Sequence, residues 1–196
     1  MMPKTIAEKV FEDFCDANKI KWEKIMEGHQ KTPDYKVQFG DDFVFIEVKQ
    51  IDKDQYFHID GEVSGRTVGS HIREKIKTAR KQIKVGADQG CPSILLVYNN
   101  LDGLQMFGTG QDDFIAAMYG DLTYVIDKNR HEFIDQYHGR NQSFAENKSA
   151  YFSAVGFLYQ TINSSGIRLY ENAFTNNKLN FNCIPKCIEV VRIKLT

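Results

Sequence analysis

Two carboxylates and an amine stand close together in this chain: Asp34, then Glu47 and Lys49. The residues between them, Tyr35 to Ile46, read as two extended runs joined by a turn at Gly40-Asp41-Asp42. An antiparallel hairpin can therefore bring all three groups to one spot. Side chains alternate along a strand, which puts Phe43, Phe45, Glu47 and Lys49 on one face and Val44, Ile46 and Val48 on the other. Apolar residues on both faces mark a strand inside a sheet. A glutamate and a lysine near the end of such a strand are costly unless something pairs with them. A divalent cation held by Asp34 and Glu47, with Lys49 turned to a scissile phosphate, would be that partner. An ordinary salt bridge of Lys49 with either carboxylate is the competing reading.

The elements around the hairpin can be read from periodicity. Thr5 to about Asn18 reads as a helix, with Ile6, Val10 and Phe14 recurring at helical spacing. Strands are expected at Lys21–Met26, Tyr35–Phe39 and Phe43–Ile51. After a loop over Asp52–Gly69, His71 to Lys84 has the period of an amphipathic helix, with Ile72, Ile76, Ala79 and Ile83 as its apolar stripe. Ser93 to Tyr98 is a continuous apolar run that fits a buried strand, reached by a parallel crossover. Further on, a short helix is expected at Asp112–Tyr119. Strands are expected at Leu122–Asp127, Tyr151–Gln160, Ile167–Tyr170 and Ile188–Leu195. These are expected to extend the same sheet.

Pro33-Asp34 followed by Glu47-x-Lys49 resembles the motif of the PD-(D/E)xK nuclease superfamily, in its ExK form. The resemblance covers roughly the first half of the chain, and the order of elements agrees with it. It implies an α/β fold with a restriction-endonuclease-like core: helix, three-strand meander, crossover helix and strand. The C-terminal strands then extend a mixed central sheet, giving a single domain over residues 1–196 with its core at about 1–100. The implied activity is that of a metal-dependent endonuclease hydrolysing phosphodiester bonds, with DNA as the expected substrate. Asp34 and Glu47 would bind Mg²⁺ or Mn²⁺ through oxygen, with the Val48 carbonyl as a further ligand. The metal would polarise the phosphodiester and activate a bound water. Lys49, kept charged beside the carboxylates, would orient that water or stabilise the transition state. Members of the superfamily often carry a Gln or Lys on the crossover helix, which points to Gln82 first and Lys75 second. They often place a metal-binding glutamate on the first helix, which points to Glu8 ahead of Glu12. Thr5-x-x-Glu8 is also a capping-box pattern, and capping is the main competitor for Glu8.

The crossover helix supplies the electrostatic footprint expected of a nucleic-acid partner. From 71 to 84 there are six Lys and Arg against one Glu, in a chain whose net charge is −1. His71, Lys75 and Gln82 share one flank of the apolar stripe, and Arg73, Lys77, Arg80 and Lys84 project towards the other. Arg73, Lys75, Lys77, Arg80 and Lys84 are the expected contacts to the phosphate backbone. A solvated lysine-rich helix face is the plainer alternative.

Composition narrows the class. Hydrophobic residues make up 42% and charged residues 26% of 196 residues, the make-up of a soluble globular chain with one core and no linker. No apolar run is long enough to span a membrane, and a cytoplasmic location is expected. Cys15, Cys91, Cys183 and Cys187 lack the spacing of a zinc site and are expected to be reduced thiols. His29 and His58 flank the motif, where exposed loop positions are expected. There is no phosphate-cradling glycine loop, nucleophile elbow or dinucleotide fingerprint. Two readings compete with the nuclease: a nucleic-acid-binding module of the same fold, and a hydrolase acting on a small phosphorylated substrate. A homodimer would suit an enzyme that cuts both strands of a duplex.

Overall fold

A computed structural model describes residues 4–26, 28, 31–53, 58–60, 63–101, 105 and 107–193. Its first element is α1 (Ile6–Ala17), opened by a capping box in which Thr5 and Glu8 each satisfy the other's backbone N–H. Ala7, Val10, Phe11, Phe14 and Cys15 form its buried face. Ile6 is half exposed, so the apolar face is rotated from the expected Ile6-Val10-Phe14 stripe.

Then come β1 (Lys21–Lys24), β2 (Tyr35–Phe39) and β3 (Asp42–Ile51), an antiparallel meander. Two short strands, β4 (His58–Asp60) and β5 (Val63–Gly65), pair with each other in the following loop. The chain crosses back through α2 (Ser70–Ala87) to β6 (Ser93–Asn99), which lies parallel to β3 as its pattern requires. After α3 (Gln111–Tyr119) come β7 (Leu122–Ile126), β8 (Phe133–His138), β9 (Ala154–Gln160), β10 (Ser165–Glu171) and β11 (Ile188–Val191).

The main sheet is mixed and has seven strands in the order β1-β2-β3-β6-β9-β10-β11. One face packs on α1, through Val44, Ile46, Val48, Ile94 and Leu96 against Val10, Phe11 and Phe14. The other face packs on α2 and α3, through Ile51, Leu95 and Val97 against Ile72, Ile76, Ala79, Ile83 and Phe114. The stripe expected on α2 is fully buried. A left-handed glycine starts this helix. Gly69 has φ of +77°, and a Cβ there would stand 2.8 Å from the Asp113 carbonyl oxygen and the Ala117 nitrogen. Asp113 ties the junction by accepting from Gly69 N at 2.8 Å and from Arg66 Nη1 at 2.6 Å.

One expectation needs correcting. The strand beginning at Leu122 does not extend the sheet; β7 pairs with β8 in a separate antiparallel hairpin. Five of the six residues of β8 are exposed, so no burial alternation marked it as a strand.

Candidate active site

The site is built where β2 hands over to β3. Tyr35 pairs with Ile46, and continuing that register one residue back sets Asp34 opposite Glu47. Asp34 bends onto the neighbouring strand, where its Oδ2 accepts the Val48 N–H at 2.8 Å. Alternate residues of β3 bond to opposite neighbours. Phe45 donates to Pro92 and Ile51 accepts from Asn100 on the β6 side, so Val48 turns its N–H and C=O towards β2. The residue in register there is Pro33, which has no N–H to give. The Pro33-Asp34 pair thus occupies the Val48 N–H and offers its carbonyl no backbone donor.

Glu47 is only 1% exposed. Its Oε1 meets Lys49 Nζ at 2.5 Å, while its Oε2 is buried with no hydrogen-bond partner. Burial, reinforced by the negative charge of Asp34 and only partly offset by Lys49, pushes the Glu47 carboxyl up to about 8. Burial also raises Asp34, against the Val48 N–H and the Lys49 charge. Lys49 remains about a quarter exposed and forms the open side of the cluster.

The crossover helix runs back over these strands. A Cβ added to Gly86 would lie 2.6 Å from Ser93 Oγ and 2.7 Å from Phe45 Cβ, so the last turn of α2 rests on the start of β3. Two strand residues advance about 6.7 Å, equal to four or five helical residues. Glu47 is therefore level with Gln82, which shares the Gly86 flank of the helix. Gln82 is buried, and its Oε1 has no hydrogen-bond partner. Lys75 lies on the same flank and pairs with Glu74 at 2.9 Å.

Other expected residues are placed differently. Both oxygens of Glu8 are occupied, Oε2 by Thr5 N at 2.7 Å and Oε1 by Lys24 Nζ at 2.6 Å. Burial opposes ionisation, but the Lys24 and Thr5 bonds outweigh it and hold Glu8 below the ordinary carboxylate value. Glu8 therefore caps α1, and its charge lies near enough to Asp34 to help raise that carboxyl. Glu12 is engaged as well, by Tyr35 Oη at 2.8 Å and by Lys4.

Arg73 is no free phosphate contact. Its guanidinium donates to the carbonyls of Val68 (2.7 Å) and Ala116 (2.9 Å) and to Asp121 Oδ1 at 2.5 Å, clamping α2 to α3. Lys84 pairs with Asp88 at 2.5 Å. Arg80 and Lys84 share the Arg73 flank, away from Glu47, and Lys77 is exposed on the outer surface. Of the expected basic contacts, only Lys75 is on the flank that faces the carboxylates.

Gln50 is a supporting residue that the sequence reading passed over. Its Oε1 accepts the Ala7 N–H at 2.8 Å, pinning the start of α1 to the end of β3 just beyond the site. The strand alternation that places Glu47 and Lys49 also puts Gln50 on the α1 face, and that was the available signal. The four cysteines are free thiols. His29 and the side chain of His58 lie outside the described residues.

Among the described residues no group of three or more His, Cys, Asp or Glu is arranged to hold a metal. What the site offers is two opposed carboxylates, one unpartnered oxygen and a backbone carbonyl. This all-oxygen set suits a hard cation that completes its shell with water. Compared with family models, curated proteins and solved structures, the chain matches none.

Proposed function

We propose that this protein is a metal-dependent nuclease of the PD-(D/E)xK type that hydrolyses phosphodiester bonds, with DNA as substrate. The observation that carries the reading is Glu47, a carboxylate 1% exposed inside a sheet, with one oxygen unpartnered and Asp34 opposite. A structural ion pair has no need to bury a second carboxylate beside the first, because their repulsion adds to the desolvation cost. The order α1, β1 to β3, α2, β6 supports a restriction-endonuclease-like core.

Asp34 and Glu47 would hold Mg²⁺ or Mn²⁺ together with the Val48 carbonyl. The cation, when bound, supplies Lewis-acid polarisation of the phosphodiester. Each protein group then has a stated task. Glu47 must give up the proton that burial favours. Lys49, released from its pair with Glu47, turns to the developing negative charge on the phosphate or to the attacking water. Gln82 supplies an amide at the same level, which orients rather than ionises. Asp34 stays fixed through the Val48 N–H.

The test is supercoiled plasmid with and without Mg²⁺ or Mn²⁺, using the wild type, Asp34→Ala and Lys49→Ala. Metal-dependent nicking or linearisation lost in both variants supports the reading. Cleavage that survives both refutes the assigned site. Salt-dependent binding without cleavage, on duplex, branched DNA and RNA alike, selects a nucleic-acid-binding module of the same fold.

A further inference from the structure

We propose that the Lys24 ammonium stands where a second divalent ion would otherwise bind beside Asp34, so that the site takes a single Mg²⁺ or Mn²⁺. The inference rests on the reading of Asp34 and Glu47 as cation ligands and adds Lys24, which that reading does not use.

Four carboxylates are in electrostatic reach around the start of β2. Glu8, Glu12 and Asp34 all act on Lys24, and Asp34 acts on Glu47. Among the described residues, three of the four have a lysine of their own. Glu47 pairs with Lys49, Glu8 with Lys24 at 2.6 Å, and Glu12 with Lys4. Asp34 has none, and its Oδ2 takes the Val48 N–H instead. With Lys49 released to the substrate, Asp34 and Glu47 carry two negative charges. One divalent cation balances them, while Lys24 and Lys4 already balance Glu8 and Glu12.

The backbone brings Lys24 to this place. Ile25 N donates to the Asp34 carbonyl at 2.8 Å, and Lys24 is in register with Tyr35, so the lysine flanks Asp34 on the α1 side. Two catalytic ions stand about 3.5–4 Å apart. A pair so close needs a shared carboxylate and a further anionic ligand on each side to offset its repulsion. On one side of Asp34 that ligand is Glu47, backed by the Val48 carbonyl. On the α1 side it is Glu8, whose charge reaches Asp34. Both Glu8 oxygens are taken, however: Oε2 by the helix cap and Oε1 by Lys24. A lysine ammonium is a compact point charge, so it balances Glu8 as an ion would but offers no Lewis acidity. The competing description is a surface ion pair with no bearing on the metal.

The test counts bound Mn²⁺ on the full chain at pH 8, by titration calorimetry and by the free-ion electron paramagnetic resonance signal. The wild type should bind one ion. Lys24→Ala should bind two, because Glu8 Oε1 is freed while Oε2 keeps the cap. Its circular dichroism should stay that of the wild type, since the lysine side chain is 42% exposed. Lys24→Ala with Glu8→Gln should return to one ion. A wild type that binds two ions would overturn this inference and leave the metal reading standing. A wild type that binds none would remove both. Lys24→Ala that still binds one ion, or a second ion that survives Glu8→Gln, would show that Lys24 holds no cation position.

Discussion

Replacing Glu47 by glutamine should stabilise the protein at alkaline pH while removing the proposed nuclease activity, and the size of the gain follows from burial. The Glu47 carboxyl is raised to about 8 in the fold from the ordinary glutamate value of 4.5. A carboxyl raised on folding favours the native state while it is protonated, below its unfolded value. That stability is lost as the pH climbs towards the folded value. Between pH 5 and pH 8 the loss is about 3 kcal/mol, at 1.36 kcal/mol per pH unit of linkage. Glu47→Gln keeps the shape and cannot ionise, so its stability should not share that fall. For a chain of this length about 3 kcal/mol corresponds to a melting temperature higher by about 6–12 °C at pH 8, with little difference at pH 5. Differential scanning calorimetry from pH 5 to 8, in the presence of a chelator, reads this directly. Mg²⁺ or Mn²⁺ added at pH 8 should stabilise the wild type and leave Glu47→Gln nearly unmoved, because the ion binds only the native carboxylates. Parallel pH curves for the two proteins would refute the buried-carboxylate reasoning.

Three further outcomes follow from the site and its frame. Apparent affinity for Mg²⁺ or Mn²⁺, measured by titration calorimetry, should rise about tenfold per pH unit from pH 6 towards 8, as the cation competes with the Glu47 proton. A pH-independent affinity would place the ion elsewhere. Lys49→Ala should lower kcat by about 10²- to 10³-fold while DNA binding in a gel-shift assay stays within a few-fold of wild type. Equal losses in binding and turnover would assign Lys49 to substrate capture instead. Arg73→Ala should cost about 2–3 kcal/mol in urea unfolding, since it removes the donor to Asp121 and to three carbonyls, those of Val68, Ala116 and Asn141. Lys77→Ala, at an exposed position, should leave unfolding within about 0.5 kcal/mol. An unchanged midpoint for Arg73→Ala would show that the clamp between α2 and α3 contributes nothing.

The sequence by itself determined the elements that carry a strong period. Alternation along Phe43 to Lys49 placed Glu47 and Lys49 on one face and Val44, Ile46 and Val48 in the core, and β3 obeys it. The stripe Ile72, Ile76, Ala79 and Ile83 fixed which side of α2 meets the sheet, and with it the flank of Gln82. Apolar spacing is a one-dimensional record of burial, so it survives without coordinates. It could not say which side of a helix another helix would cover. Arg73 and Lys75 are two residues apart and look alike as charges. Packing of α3 against one flank alone made Arg73 a clamp and left Lys75 on the side of the carboxylates. Glu8 was a similar case, since cap and ligand need the same residue type, and only the structure shows the capping box with Lys24 on the second oxygen. The hairpin of β7 and β8 was illegible for the opposite reason. Its apolar residues face solvent, so local pattern suggested a strand of the main sheet where only tertiary pairing could reveal a hairpin that joins no other described strand.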